Sequence, residues 1–451
     1  MFRRRVPFMP SIRIAKLAST LAMAALLASC GGGGSSGGSA SCDLASQKDW
    51  LRGYMLDWYY WTGQSPNPEP AGYATLAEYF AALKFRNYPG VQDGIEPWSN
   101  HQSTVSYNQF FAEGRSTGYG FAVNGLEATL PLKVRYVEPL SPAGAQLVRG
   151  DVIKAINDVP DTTLIQQFAD RNTAVLDGAA GQQITLDIER SGVPQRITLT
   201  AADYALTPVP VSATLPGNVG YLVLKDFIVQ AQTELSTRLN ALKAAGITDL
   251  IIDLRYNGGG RISTANHFAS ELVGSTANVG KVFTTLQYNV GHQASNTSFK
   301  LAPSSAAGVF NRIVVLTGQR SCSASELLVN GLKPYASQVS TVGDTTCGKP
   351  YGFNPVESCG NTFSIVNFKA VNALGQGDYE AGIAPTCAVA EDFSGAFGDP
   401  AEKLTAAALA YLQTGNCPAT AAAPAGRVQP LSLRLRRAGA EPGEHRGMTA
   451  D

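Results

Sequence analysis

The stretch GQRSCSASELLVNGLKP (318–334) places three serines and a cysteine within five positions, directly before an apolar, helix-like run. A serine hydroxyl becomes a nucleophile only when a base takes its proton. Four histidines are present, His101, His267, His292 and His445, and none lies in a site motif; there is no GxSxG elbow and no GDSGG. Lysine is the other candidate base. GDTTCGKPYGF (343–353) sets Lys349 in a glycine-bounded loop with Cys347, Pro350, Tyr351 and Phe353 around it. A lysine acts as a base only when neutral, which requires apolar surroundings that lower its pKa from about 10.4 toward about 7–8. Ser323 also has a purely structural role open to it. S-A-S-E is a capping box, in which the serine oxygen accepts from the N–H three residues on and Glu326 reaches back. From this stretch alone, both roles stand.

The elements that must position these residues are legible in the pattern. ITDLIIDL (247–254) and NRIVVLT (311–317) are continuous apolar runs, as expected for strands buried on both faces. VGYLVLKDF (219–227) reads as a further strand. QTELSTRLNALKAAG puts Leu235, Leu239 and Leu242 on one helical face, with Gly246 as its terminator. The glycine turn RYNGGG (255–260) leads into a helix through Ala265, Phe268 and Leu272. SCSASE therefore lies at a strand-to-helix junction, where a helix N-terminus directs unpaired N–H groups outward. Asp253 and Arg255 are expected to be a buried pair organising that turn, and Glu326 to be structural in either case.

Upstream, 43–64 and 73–85 carry helical spacing, and 42–112 is expected to be a small helical region whose aromatics form core. Residues 113–203 are β-rich with one helix. TGYGFAV followed by SPAGAQLVRGDVIKAIN (141–157) resembles a PDZ domain, whose glycine–aromatic loop, here Gly118, Tyr119, Gly120 and Phe121, holds a peptide's terminal carboxylate on backbone N–H groups.

LIIDLRYNGGG (250–260), SCSASELL (321–328) and CGKP (347–350), in that order and downstream of a PDZ-like segment, resemble the C-terminal processing, or tail-specific, serine peptidases. The resemblance spans roughly residues 115–415 and includes YEAGIAPTCAV (379–389). It implies a multi-domain α/β fold with a ClpP/crotonase-like protease core over 204–416. It also implies Ser323 as nucleophile, Lys349 as base, and an oxyanion site from Ala324 with Gly258 or Gly259. No metal, nucleotide or other cofactor is called for. Two positions depart from the family pattern. Phe353 stands where relatives often have a glutamine that orients the lysine, with Asn354 next to it, and Cys322 precedes the nucleophile in place of alanine.

The N-terminus carries an export signal. MFRRRVPFMPSIRIAK has five basic residues and no acid, a short apolar run follows, and LASC resembles a bacterial lipobox with Cys30 as the lipidated residue. The expected order is a signal peptide over 1–29 and a lipid-anchored Gly/Ser tether over 30–41, leaving the body in the cell envelope facing the periplasm. Six further cysteines suit an exported protein, and spacing suggests Cys347–Cys359 and Cys387–Cys417 as local pairs. Their spacing does not suit a zinc site. The zero formal charge argues against a nucleic-acid partner. Residues 417–451, biased toward Ala, Pro and Arg, are expected to be disordered. The expected partners are polypeptides with accessible C-termini and, through Cys30, a membrane. Two other functions remain open to the same sequence: a non-catalytic peptide- or ligand-binding lipoprotein, and a histidine-dependent esterase drawing on His267.

Overall fold

The computed structural model describes residues 41–91, 93–125, 130–169, 174–336, 338–419 and 447–450. Cys30, His445 and the leader lie outside the described residues.

The apolar runs become the strands of a six-stranded sheet in the order Ser212–Leu215, Val219–Val223, Asp249–Asp253, Arg312–Thr317, Val339–Gly343 and Cys387–Ala388. The first pair is antiparallel and every other pair parallel. Alternation along each strand divides the core. Leu250, Ile252, Ile313 and Val315 face one way, into helices Gln230–Ala244, Ile262–Val273 and Ala324–Leu332. Ile251, Val314, Leu316 and Val342 face the other way, against helix Lys403–Thr414. Burial on both faces is why these strands read as unbroken apolar runs. Their C-terminal ends lie side by side, Asp253 opposite Leu316 and Thr317 opposite Gly343. The loops that leave these ends carry NGGG, Ser323 and Lys349. Groups remote in sequence thus meet at the carboxyl edge of one parallel sheet, the usual place for a site in such folds.

A second six-stranded sheet runs Gly259–Arg261, Gly447–Thr449, Tyr351–Phe353, Val366–Asn372, Val282–Tyr288 and Thr297–Lys300. Its second member corrects the expectation of disorder throughout 417–451. Gly447–Thr449 is a strand whose Met448 is wholly buried in the main core. Helix Lys403–Thr414 and the residues to Ala419 precede it, and 420–446 lie outside the described residues.

Helices Leu44–Trp58, Leu76–Leu83 and Thr104–Phe111 form the N-terminal region, tied to the core by strand Asn100–Ser103 pairing with Asn361–Ser364 and by a Cys42–Cys359 disulfide. Their aromatic faces are core, as expected. That core is shared with the Lys349 loop, because Tyr59, Trp61, Tyr88 and Trp98 pack with Cys347, Tyr351 and Phe353. The PDZ-like segment closes on itself where strand Arg115–Gly118 pairs with Ala202–Ala205. Around its own core it carries the four strands Val159–Pro160, Val152–Ile156, Gln183–Arg190 and Val193–Thr200 with helix Asp161–Ala169. Among the described residues no helix is long and apolar enough to cross a membrane.

Candidate active site

Ser323 stands at the N-terminus of helix Ala324–Leu332 with φ 62° and ψ −111°, a left-handed backbone that an L-residue rarely adopts. Such a conformation costs about 1–3 kcal/mol and persists only where its surroundings enforce it. The enforcing contacts are identifiable. Ser321 Oγ donates to Leu254 O at 2.7 Å, Cys322 N–H donates to Asn257 O at 3.1 Å, and Ser325 Oγ donates to Asn257 O at 2.9 Å. The outer two serines thus fasten the junction to the glycine turn. Only the middle hydroxyl is left over: Ser323 Oγ is buried and makes no hydrogen bond.

The capping box is half made. Glu326 Oε2 accepts from Ser323 N–H at 2.9 Å, while the serine oxygen, though it stands in capping-box position, forms no hydrogen bond to the helix. The same carboxylate oxygen accepts from Lys349 N–H at 2.8 Å, and its partner Oε1 accepts from Gly348 N–H at 2.8 Å and from the Thr346 hydroxyl. One buried carboxylate therefore holds the backbones of both candidate catalytic residues. Burial pushes the Glu326 carboxyl above its ordinary value, against the lowering by the Thr346 hydroxyl and the three N–H donors.

Lys349 is 1% exposed, and its Nζ lies 4.1 Å from the centre of the Phe353 ring and 5.5 Å from that of Trp98. Phe353 occupies the place of the family glutamine with an aromatic face. Asn354 does not substitute for it, since its side chain exchanges hydrogen bonds with Tyr288 Oη at 3.1–3.2 Å. Trp98, contributed by the N-terminal region, had no signal in the sequence beyond being one aromatic among many.

Cys322 is bonded to Cys347, which joins the residue before Ser323 to the residue two before Lys349. This corrects the suggested Cys347–Cys359 pair, because Cys359 bonds to Cys42; Cys387–Cys417 forms as expected. Sequence nearness favoured the wrong partner, whereas the fold brings position 322 against 347 through the Glu326 hub. Cys322, Cys347 and Glu326 cluster as metal ligands would, but the two sulfurs are joined and leave no thiolate for a metal. Closing a loop of 25 residues constrains the unfolded chain by about 3–4 kcal/mol. The double variant Cys322→Ala/Cys347→Ala should therefore unfold at lower urea, by roughly 3 kcal/mol. An unchanged midpoint would show that the hub alone holds the loop.

The glycine turn completes the site. A Cβ on Gly259 (φ 113°) would lie 2.5 Å from Gly447 O, 2.9 Å from Ser323 Cβ and 3.1 Å from Ala324 N, so only glycine fits there. Of the three oxyanion candidates, Gly259 already has its N–H engaged by Asn257 Oδ1 at 2.8 Å. Ala324 N lies beside the same point, next to Ser323 Cβ. Asn257, whose place in the motif does not announce a role, braces the turn from both ends, its Nδ2 donating to Leu224 O at 2.9 Å.

The histidines are elsewhere. His267 hydrogen-bonds Ser236 at 3.0 Å and faces Glu271, His292 contacts Asp57 at 2.7 Å and stacks on Trp58, and His101 stacks on Phe363. The esterase alternative thus has no histidine at Ser323 among the described residues. Asp253 and Arg255 are the buried pair expected, 2.9 Å apart. In the PDZ-like segment, the carbonyls of Tyr119 and Gly120 accept from Ala143 and Glu138, and the Tyr119 and Phe121 side chains are buried in the segment's own core.

Two family models match the chain: Peptidase family S41 over residues 218–389 and the Peptidase S41 N-terminal domain over residues 46–113. The carboxyl-terminal-processing protease of Synechocystis sp. is 31% identical over 290 residues, which cover 61% of this chain and 65% of that protein. The carboxy-terminal processing protease CtpB of Bacillus subtilis is 25% identical over 237 residues, 49% of this chain and 45% of that one. The chain thus spans less than two thirds of the length of these curated relatives. A crystal structure of an S41 protein from Bacteroides fragilis shares the fold, with a TM-score of 0.62 at 20% identity over 81% of this chain and 97% of that one. With the N-terminal and peptidase regions both matched, in order and around the Ser323 junction, the chain belongs to peptidase family S41.

Proposed function

We propose that the protein is a serine endopeptidase in which Ser323 is the nucleophile and Lys349 the general base. The observation that carries this is the Glu326 hub: one carboxylate oxygen binds the backbone N–H of Ser323 and of Lys349, and leaves the strained Ser323 hydroxyl unengaged. Ser323 Oγ attacks the scissile carbonyl as its proton passes to neutral Lys349. The tetrahedral intermediate expels the amine, which takes that proton, and water then hydrolyses the acyl-enzyme. The oxyanion is held by Ala324 N–H, with Gly258 N–H opposite, each such donor being worth roughly 3–4 kcal/mol. Ala324 also begins a helix, whose dipole favours negative charge at that end. Lys349 is 1% exposed with the Phe353 and Trp98 rings beside its Nζ, and burial of this kind disfavours an ammonium ion, the condition a lysine base needs.

The substrates are polypeptides, in keeping with the C-terminal-processing relatives, and the Gly118–Phe121 loop of the PDZ-like segment binds their C-termini. On this reading the protein sits in the bacterial envelope, anchored by lipid at Cys30 and facing the periplasm, which the basic leader and the LASC motif support.

A serine-reactive covalent probe tests the chemistry. Labelling should map to Ser323, disappear in Ser323→Ala, and slow by at least about 10³-fold in Lys349→Ala. Label that persists in Ser323→Ala overturns the assignment. A chain that neither labels nor cleaves fits the non-catalytic peptide-binding protein, for which Phe353 in the glutamine position is the supporting feature.

A further inference from the structure

The cleft beside Ser323 is filled by the chain itself. Strand Gly447–Thr449 lies between Gly259–Arg261 and Tyr351–Phe353, the two strands that flank Ser323 and Lys349. It runs parallel to the first, with Gly447 opposite Gly259, Met448 opposite Gly260 and Thr449 opposite Arg261. It meets the second where Thr449 pairs with Phe353. Gly447 N–H donates to Gly258 O at 3.3 Å and Ala450 N–H donates to Phe353 O at 3.0 Å. The seat is shaped for these side chains. Met448 is 0% exposed among the apolar residues of the main core. A Cβ on Gly447 would fall 2.6 Å from the Phe353 ring, so glycine alone fits there. The Gly447 carbonyl meets Ser323 and Ala324 N around the point where a Gly259 Cβ would stand.

We infer that residues 447–450 are an intramolecular ligand of the peptide slot, which closes the cleft to other polypeptides until the segment leaves. An extended segment added to open strand edges uses backbone hydrogen bonds for affinity and side-chain seats for specificity. The slot therefore selects glycine followed by an unbranched apolar residue. Calling the slot a substrate cleft rests on the peptidase assignment; its occupancy by 447–450 does not. Held on a connector, the segment meets its seat at a high effective concentration, so a peptide in solution competes poorly with it.

Two full-length variants release the segment by different means. Met448→Glu would bury a carboxylate in an apolar seat, and Gly447→Val would press against Phe353. Three readouts follow. By hydrogen exchange, the amides at positions 447 and 450 of the native chain, which donate to Gly258 O and Phe353 O, should be protected by about 100-fold or more, and both variants should lose this. A fluorescein-labelled Gly-Met-Thr-Ala peptide should bind both variants and bind the native chain at least about tenfold more weakly. Probe labelling of Ser323 should rise by about tenfold or more on release. Unprotected amides in the native chain overturn the inference, as does peptide binding that is equal in native and released chains or absent from both. If exchange and peptide binding behave as stated while Ser323 never labels, the intramolecular ligand stands and the peptidase assignment falls.

Discussion

Lys349→Met should lower kcat by at least about 10⁴-fold while the protein stays as stable as the parent or becomes more so. The two halves of that expectation have different causes. The loss of turnover follows because methionine cannot take the Ser323 proton, and no histidine adjoins Ser323 among the described residues to do so instead. The retained stability follows from burial. Lys349 is 1% exposed, and methionine fills nearly the same volume without a polar head to keep out of water. Part of what is lost is the contact of the amino group with the Phe353 and Trp98 rings, worth roughly 0.5–2 kcal/mol when that group is charged. Desolvating an ammonium at such a site costs more than that. A lysine whose work is structural behaves in the opposite way, because removing one partner of a buried ionic contact destabilises by about 3–5 kcal/mol. Activity and urea midpoint, measured on the same preparation, separate the cases. Lys349→Arg should not restore turnover, since a guanidinium does not give up its proton near neutral pH. A stable Lys349→Met protein with native turnover would remove the lysine from the mechanism.

What the sequence revealed of this site depended on how local the determining forces are. The strands ending at Asp253 and Thr317 are buried on both faces, so their apolar runs identify them, and the junctions that follow are then fixed by order along the chain. Ser323 and Lys349 could be singled out because each lies in a short motif just beyond such a strand. The partner of Cys322 could not, because pairing depends on which loops the sheet edge brings together rather than on spacing. Trp98 reaches Lys349 from a region more than two hundred residues away and carries no pattern that announces it. Met448 is an isolated large apolar residue at the end of a stretch biased toward Ala, Pro and Arg, so composition pointed to disorder. A three-residue strand takes its stability from the open edges on either side of it and hardly at all from its own sequence.

Arg255→Leu should be the most damaging single change to stability, by about 3–5 kcal/mol at pH 7. The guanidinium is 2% exposed and is surrounded by acids. It reaches Asp253 at 2.9 Å, Glu391 at 3.1 Å, and both oxygens of Glu402 at 2.7 and 3.0 Å. Leucine would leave carboxylates buried with too little positive charge. Glu391 keeps Arg149 at 2.7 Å, but Glu402 keeps the same group only at 3.7 Å. Burial alone would raise the Glu402 carboxyl; the bonds and charge of Arg255, with the Thr405 N–H and hydroxyl, outweigh burial and hold it at about 2. A carboxyl depressed in this way stabilises the fold above its unfolded value of 4.5, and that contribution is lost as pH falls toward about 2. The deficit of Arg255→Leu should accordingly be full at pH 7 and shrink as pH is taken from about 4.5 to about 2, because the variant's carboxyls can then protonate. Urea midpoints of parent and variant at pH 7 and pH 3 test this, and an equal deficit at both would assign the loss to packing instead. Arg255→Lys should recover little, since one ammonium cannot bridge Glu402 in two-point fashion and still reach Asp253. Arg255 also opens the turn that carries Asn257 and Gly259 to Ser323, so any Arg255→Leu protein that folds should lose turnover as well. The ion cluster at the sheet edge is therefore a support of the candidate catalytic geometry, and its charge balance sets the acid limit at which that geometry survives.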